Sequence, residues 1–495
     1  MTYSVAMTEG INEVLVRHLV RADDQEDLCF ALWKPSAGLN RTSALINAVI
    51  LPEPGDREVH GNASFNPQYV ERAVAAALAA GSGIAFLHSH PASGWQAMSS
   101  DDVRAEQGLA PTIAGATRLP VVGLTLAAGD GAWSARFWPR VGPKQFERHW
   151  CTTVRVLGRR LRVHYNDQLL PAPRHRVNQT RTLQAWGPDA HRHLTRLRVG
   201  VAGLGSVGSI IAEAVARTGT QHAQLLDYQS IEELNLDRTL HATHDDAIQK
   251  EAKVAVAARA MMKSATAEGF RVDADDWSIC EEKGYRRALD CDVIFSCVDR
   301  PWPRSVLNYI AFAHLIPVVD GGIFVGRTPA GKLRGADWKA HVIGPEHRCM
   351  LCLGQYDPGF VAADKRGDLD DPRYLEPLAI DHPLRANENV FGFSLGVASL
   401  EFLQFLLLAI GPLGLGTPGS QNYHMVSGTI DLDPRSCDPG CIFPELTAAG
   451  DTQPSGTDTH KAAESARAER QGSRRLRGIS RWLRSLTRTL IGFQG

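Results

Sequence analysis

The sequence has no uninterrupted apolar run of membrane-spanning length. Its longest such stretch, residues 390–410, carries Glu401 and Gln404. A spanning helix needs about 20 predominantly apolar residues with few or no charges, so this stretch reads as a buried helix. Net charge is nearly absent too. Lys and Arg number 53 against 54 Asp and Glu, a balance of −1, so no global field draws the chain to nucleic acid. Residues 1–10 lack the basic and apolar regions of a secretory signal. Cysteines are nine, an odd number, which together with the missing leader predicts a reducing, cytoplasmic compartment. What is present is ordinary for a globular chain: 44% hydrophobic and 22% charged over 495 residues, enough for two or three domains.

The chain is organised around Val199-Gly200-Val201-Ala202-Gly203-Leu204-Gly205-Ser206-Val207-Gly208. A short apolar run enters G-x-G-x-x-G and continues as Ile210-Ile211-Ala212-Glu213-Ala214-Val215-Ala216, which predicts strand, tight turn and helix. Gly203, Gly205 and Gly208 would let the backbone approach a phosphate, and the free N–H groups at the helix start would attract its charge. A second apolar run ends at Asp227, about 20 residues past the last glycine, where an acid can hold ribose hydroxyls. Asn235, Arg238 and Lys253 follow. Residues 292–299 then read as another buried strand with Asp299 at its carboxyl end, and open parallel sheets bind ligands at such ends. Two cations and an amide suit a triphosphate, and a second carboxylate suits Mg²⁺. A nicotinamide enzyme has no use for that set.

These residues resemble the ThiF/MoeB adenylyltransferase superfamily, the ubiquitin-activating-enzyme fold, over roughly residues 175–445. The resemblance rests on Leu225-Leu226-Asp227, Asn235, Arg238, Lys253, Cys297-Val298-Asp299, Arg304 and Leu307-Asn308. It implies that Asp227 holds the ribose, that Asn235, Arg238 and Lys253 hold the phosphates, and that Asp299 holds Mg²⁺. Gln229 stands where a second acid is usual, and Lys250-Glu251-Ala252-Lys253 replaces the common Gly-x-x-Lys.

Upstream, residues 28–33 and 44–51 read as strands and 69–80 as a helix. Gly83-Ile84-Ala85-Phe86-Leu87-His88-Ser89-His90-Pro91 runs an apolar strand into two histidines, which alternation places on one face. Ser99 is the expected N-cap of a following helix that carries Asp101 and Asp102. Two histidines and a carboxylate leave a fourth Zn²⁺ position open for water. Glu26 is the candidate general base. This pattern resembles the JAMM (JAB/MPN) metalloproteases over about residues 10–145. Members usually cleave isopeptide or peptide bonds after the C-terminal glycine of ubiquitin-like proteins. The resemblance implies His88, His90 and Asp102 as zinc ligands, Glu26 as base and Ser99 steadying the oxyanion. The loop is one residue longer than usual, so Asp101 competes with Asp102; Asp102 keeps the Ser-x-x-Asp register.

Cys349-x-x-Cys352 and Cys437-x-x-x-Cys441 could close a structural tetrahedral zinc site, with ordinary separate thiols as the alternative. No cysteine lies between Cys352 and Cys437, so a thioester nucleophile is missing there. Chemistry would then stop at an acyl-adenylate or pass it to a partner's thiol. Arg181, in a basic lead-in segment, is either a phosphate ligand or a solvated side chain. Near the end, Leu476, Ile479, Leu483, Leu486 and Leu490 recur at helical spacing among six arginines, a basic amphipathic helix for an anionic membrane, an acidic partner or its own domain.

The expected architecture is α/β. A JAMM-type, cytidine-deaminase-like α/β domain spans 1–145, and a linker with a lead-in helix spans 146–195. A Rossmann-like, mostly parallel-sheet adenylyltransferase domain spans 196–445. A flexible linker (446–472) and the basic helix (473–495) close the chain. The expected function is ATP-dependent adenylation of the C-terminal glycine of a ubiquitin-like or sulfur-carrier protein, coupled to zinc (iso)peptidase processing of such tails. The family resemblance adds an expected homodimer. The rivals are an NAD-dependent oxidoreductase and a nucleotide-binding scaffold with an inactive protease domain.

Overall fold

A computed structural model describes residues 1–473 except 61, 329, 379–381, 383 and 385–388. The basic amphipathic helix expected near the C-terminus therefore lies outside the described residues, apart from its first position. Two large sheets organise the rest.

The first sheet has nine strands. Their order is His149–Trp150, Ala132–Trp138, Val121–Ala127, Gly83–His90, Leu28–Ala37, Arg41–Ile50, Thr2–Thr8, Thr153–Leu157 and Leu161–Tyr165. Alternation along a strand explains how it is covered on both faces. In Leu28–Ala37, Cys29, Ala31 and Trp33 join one apolar cluster with Leu15 and Leu19 of the helix Glu9–Leu19. Leu28, Phe30 and Leu32 join another with Tyr69, Ala73 and Ala77 of the helix Pro67–Ala80 and Leu109 of the helix Ser100–Thr117.

The last two strands of this sheet correct the sequence reading, which put residues 146–195 in a linker. Thr153–Leu157 pairs in parallel with Thr2–Thr8 and antiparallel with Leu161–Tyr165. Arg155 is the disguise: a charged residue inside a strand, 1% exposed. The lead-in helix does form, at Thr180–Arg196, broken at Gly187 ahead of Pro188.

The second sheet has eight strands, in the order Arg271–Asp275, His222–Leu226, Arg198–Ala202, Val293–Ser296, Val318–Arg327, Leu333–Ile343, Ser420–His424 and Thr429–Asp433. The first five are parallel and the rest extend antiparallel. Strand order reverses at Arg198–Ala202, which is hydrogen-bonded to His222–Leu226 on one side and Val293–Ser296 on the other. That reversal is the place where open α/β sheets bind ligands. Helix Phe391–Ile410 is long and apolar enough by composition to cross a membrane. Its buried residues include Glu401 and Gln404, and Ala398 and Phe405 belong to the core of the second sheet.

The two sheets are locked together by buried charge. Arg41 donates to Asp292 and to the Leu289 carbonyl, and Arg155 reaches the Cys291 carbonyl at 3.2 Å. Asp290 accepts from Asn40 N and Arg41 N at 3.0 and 2.9 Å.

Residues 446–472, expected to be flexible, are docked instead. Asp451 accepts from Ala37 N at 2.8 Å and also bonds Arg286, and residues 461–473 are helical. The segment is polar, and ion pairs hold it, together with a few small buried residues such as Ala448 and Ala463.

Candidate nucleotide site and metal centres

Gly203 follows strand Arg198–Ala202 at φ +88°, and a side chain there would strike the Cys297 carbonyl. Gly208 faces the Gly203 carbonyl so closely that a Cβ would collide with it. Gly205 has open space where a Cβ would sit. Two glycines thus fold the turn, and the third leaves room for a ligand. The helix Ser206–Thr218 begins at this turn with no side-chain cap at Gly205, so its first amides point to the opening.

Asp227, at the end of His222–Leu226, accepts from Leu204 N and Gln229 N, both at 2.7 Å. It pins the glycine turn to the next strand's loop, a task beyond ribose binding that the sequence reading missed. Lys253 opens the helix Lys253–Ser264. It is buried, and its Nζ donates to Gln229 Oε1 at 2.6 Å. Gln229, which looked like a missing acid, is the neutral seat of this cation. Between Asp227 and Gln229, the Tyr228 phenol is raised by burial, and the charges of Asp227 and Asp299 both add to the shift. Asp227, Gln229 and Lys253 are thus joined at residues 227–229, while Asp299 follows Val293–Ser296, the strand on the other side of Arg198–Ala202. Asp299 forms no hydrogen bond or ion pair with another described residue.

The remaining predicted ligands are more peripheral. Asn235 Oδ1 accepts from Glu232 N at 3.0 Å, closing a short 3₁₀ turn, and Arg238 donates to Asp237 at 2.8 Å. Their loop is tied to the helix Ser206–Thr218 by Leu240 N donating to Ser209 Oγ at 3.0 Å. Arg304 is structural, donating to the carbonyls of Val298, Gln355 and Gly321. Arg181 is exposed. One residue went unnoticed in the sequence: Asn389 Nδ2 donates to Ser206 Oγ at 2.8 Å, bringing the segment before Phe391–Ile410 to the glycine turn. No sequence signal marks it.

In the first unit, His88 and His90 share the face of Ile84 and Phe86 and meet the start of helix Ser100–Thr117. Their Nε2 atoms each lie 3.4 Å from one oxygen of Asp102, and His90 Nε2 lies 3.8 Å from Glu26 Oε1. Ligands bonded to zinc at about 2.0 Å in a tetrahedron stand about 3.3 Å apart, so the donor set and its spacing fit that ion. Asp101 turns out to Arg104. Burial lowers the His88 pKa, the Asp102 hydrogen bond raises that of His90, and burial raises that of Glu26. Burial works against the Asp102 carboxylate, but its two histidines outweigh it and hold the group far below the usual range. The Ser99 hydroxyl accepts from Asp102 N at 3.1 Å while Asp102 accepts from Ser99 N at 2.7 Å. Ser-x-x-Asp is thus a capping box. The Ser99 oxygen is already engaged, and only its proton remains for an oxyanion. Glu26 is placed by a reciprocal pair, Ser89 N to the Asp27 carbonyl and Asp27 N to Ser89 Oγ, both at 3.0 Å.

The four cysteines also converge. Sγ atoms of Cys349, Cys352, Cys437 and Cys441 all lie within 4.8 Å of one another. The 3.6 Å between Cys349 and Cys441 is close to the roughly 3.8 Å expected across a tetrathiolate zinc site. Amides of Cys349, Cys352 and Asp438 donate to sulfurs of the group.

Comparison with known proteins bears on the second sheet. Residues 177–368 match the ThiF family. Within this ThiF-like region lie Gly203, Asp227, Lys253 and Asp299. The chain is 27% identical over 135 residues to the sulfur carrier protein ThiS adenylyltransferase of Bacillus subtilis (strain 168), covering 27% of this chain and 40% of that protein. It is 26% identical over 141 residues to the tRNA threonylcarbamoyladenosine dehydratase of Escherichia coli (strain K12), covering 28% and 52%. The chain thus spans about half or less of the curated relatives it matches. Among solved structures, E. coli MccB bound to MccA aligns with a TM-score of 0.41 at 17% identity, over 54% of this chain and 74% of MccB.

Proposed function

We propose that the ThiF-like unit adenylates the C-terminal carboxylate of a small glycine-terminated protein of the ubiquitin-like or sulfur-carrier kind. The observation that carries this is Asp227 and Lys253, joined through Gln229 beside a glycine turn with open space at Gly205, at the strand-order reversal whose other strand, Val293–Ser296, leads to Asp299. The named activity of the ThiS adenylyltransferase relative supports it. In the reaction a carboxylate oxygen forms a bond to the α-phosphorus of ATP, the bond from that phosphorus to the bridging oxygen breaks, and pyrophosphate leaves with the electron pair. The amides opening helix Ser206–Thr218 and the Lys253 ammonium would hold negative charge on the phosphates, and Asp227 would orient the ribose. Mg²⁺, held by Asp299, would neutralise charge developing on the transferring phosphate. A nicotinamide reading leaves Lys253 and Asp299 unexplained.

We propose further that the first unit is a zinc hydrolase for such tails. Zinc held by His88, His90 and Asp102 would supply a Lewis acid. Glu26 would take a proton from the attacking water and give it to the leaving nitrogen as the C–N bond breaks. The raised pKa of Glu26 suits that exchange.

ATP–pyrophosphate exchange with a glycine-terminated carrier is the test. Exchange should depend on the carrier's last glycine and fall by about 10²-fold or more in Asp299→Ala. Exchange unchanged in that variant removes Asp299 from the site, and hydride transfer to NAD would favour the oxidoreductase rival.

A further inference from the structure

The segment after residue 455 reaches across the second unit and ends against the loops that carry Asp227 and Asp299. The Gly456 carbonyl accepts from Trp302 Nε1 at 3.0 Å, and Asp458 pairs with Lys365 at 3.1 Å. The His460 ring is wedged edge-on between Tyr228 and Trp302, with centroids at 4.8 and 5.1 Å. Tyr228 directly follows Asp227, and Trp302 lies three residues after Asp299. Farther on, Arg467 forks onto Glu281, bonds the Asp276 carbonyl and covers the Trp277 ring at 4.2 Å. Arg470 is 5% exposed. It donates to the Tyr228 carbonyl at 2.7 Å, Ser230 Oγ at 3.0 Å and Asp276 Oδ2 at 3.0 Å.

These bonds bracket one residue. Arg470 holds the positions on either side of Gln229, and Gln229 holds the Lys253 ammonium and the Asp227 carboxylate. An arginine buried on the far side of a loop, satisfied mainly by that loop's own groups, fixes the loop's conformation. It does not recruit solvent or a distant partner. His460 does the same through packing, keeping the Tyr228 and Trp302 loops a fixed distance apart.

We infer that residues 456–473 are a strap that sets the nucleotide site, with His460 and Arg470 as positioning residues for Asp227, Gln229 and Lys253. The inference rests on the adenylation reading and deepens it. Neither residue touches nucleotide. They act through the loop that Asp227 begins and that Gln229 ties to Lys253. Loss of either should therefore weaken all nucleotides, and those with β- and γ-phosphates more than those without, because Lys253 is displaced along with Asp227.

The experiment is equilibrium binding of ATP and of AMP, each with Mg²⁺, to the full chain and to Arg470→Ala, Arg470→Lys, His460→Ala and Lys253→Ala. Hydrogen bonds from a charged donor are worth about 1.5–3 kcal/mol, so Arg470→Ala should weaken both nucleotides by about tenfold or more, with Arg470→Lys recovering part of the loss. His460→Ala should also weaken both, again ATP more than AMP. Lys253→Ala should weaken ATP far more than AMP, since it acts on phosphates that AMP lacks. General destabilisation lowers the competent fraction and weakens ATP and AMP by the same factor, so a larger loss of ATP than of AMP in the strap variants supports the strap, and an equal loss of the two would overturn it. Strap variants that bind both nucleotides within twofold of the parent, while Lys253→Ala loses ATP, would overturn the strap and leave the adenylation reading intact. A parent chain that binds neither nucleotide would overturn the reading and the strap with it.

Discussion

Lys253 is buried, and among the described residues its one side-chain partner is the neutral Gln229 Oε1. A buried ammonium without a counter-charge is costly, and the approach of a polyphosphate would relieve that cost. Gln229→Glu should therefore weaken ATP binding, because a resident carboxylate would compete with phosphate for Lys253. Titration calorimetry with ATP would show it as a rise in Kd of about tenfold, the worth of roughly 1.4 kcal/mol. Unchanged affinity would mean that Lys253 does not meet the phosphates. At this scale the sequence was readable where a residue type is nearly unique to a chemistry. His88, His90 and Asp102 stand in one short stretch, and the capping register favoured Asp102 over Asp101. It was unreadable where a residue acts through geometry. Nothing in the sequence distinguishes Asn389 from other loop amides, and Gln229 looked like a departure because its partner lies 24 residues away.

Among the elements, the strand Val293–Ser296 is the joint of the molecule. Asp292, just before it, receives Arg41 and Arg155 from the first unit and Arg198 N at 3.0 Å from its neighbour. Burial raises the Asp292 pKa, but the two guanidinium groups outweigh it and the net shift is downward. Removing one partner of a buried ion pair costs about 3–5 kcal/mol, so Asp292→Asn should lower unfolding stability by that order in denaturant titration. A loss under 1 kcal/mol would mean the units are held by something else. This joint was hidden because buried arginines disguised its strands. Thr153–Leu157 alternates as a strand should, yet Arg155 and the adjacent Arg159-Arg160 made the stretch look like a solvated linker. The strap was hidden for a related reason: a polar, Ala-rich segment docks here by arginine forks, which leave no apolar periodicity. By contrast, the second sheet's central strands and glycine turn were legible, since Arg198–Ala202 and Val293–Ser296 are buried inside the parallel sheet and such strands must be apolar runs.

Across the whole molecule, two buried histidines sit where the units meet. His314 bonds Tyr285 OH and, at 2.8 Å, Ser36 Oγ; His347 lies 3.2 Å from the Gly158 carbonyl. Burial lowers them to about 3 and about 4. Between the ordinary histidine value of about 6.5 and these values the unfolded chain binds more protons than the folded one. Stability from these groups is thus complete above about pH 6.5 and drains as pH falls through about 4 for His347 and about 3 for His314. Thermal melts should show the Tm falling over that window, with a shallower slope in His314→Gln; a slope unchanged in that variant would contradict the assignment. Zinc content follows from the same architecture. The parent should carry two equivalents, the His88→Ala/His90→Ala double variant one, and Cys349→Ser/Cys352→Ser one, measured by atomic emission on the purified chain.

If the second unit joins a carboxylate to the α-phosphate of ATP, an oxygen of that carboxylate must leave with AMP. Labelling the C-terminal carboxylate of a glycine-terminated carrier with ¹⁸O, adding ATP and cleaving the product with hydroxylamine tests it most directly. One labelled oxygen should appear in the released AMP, with no label in pyrophosphate. Label in inorganic phosphate, with ADP as the nucleotide product, would contradict it.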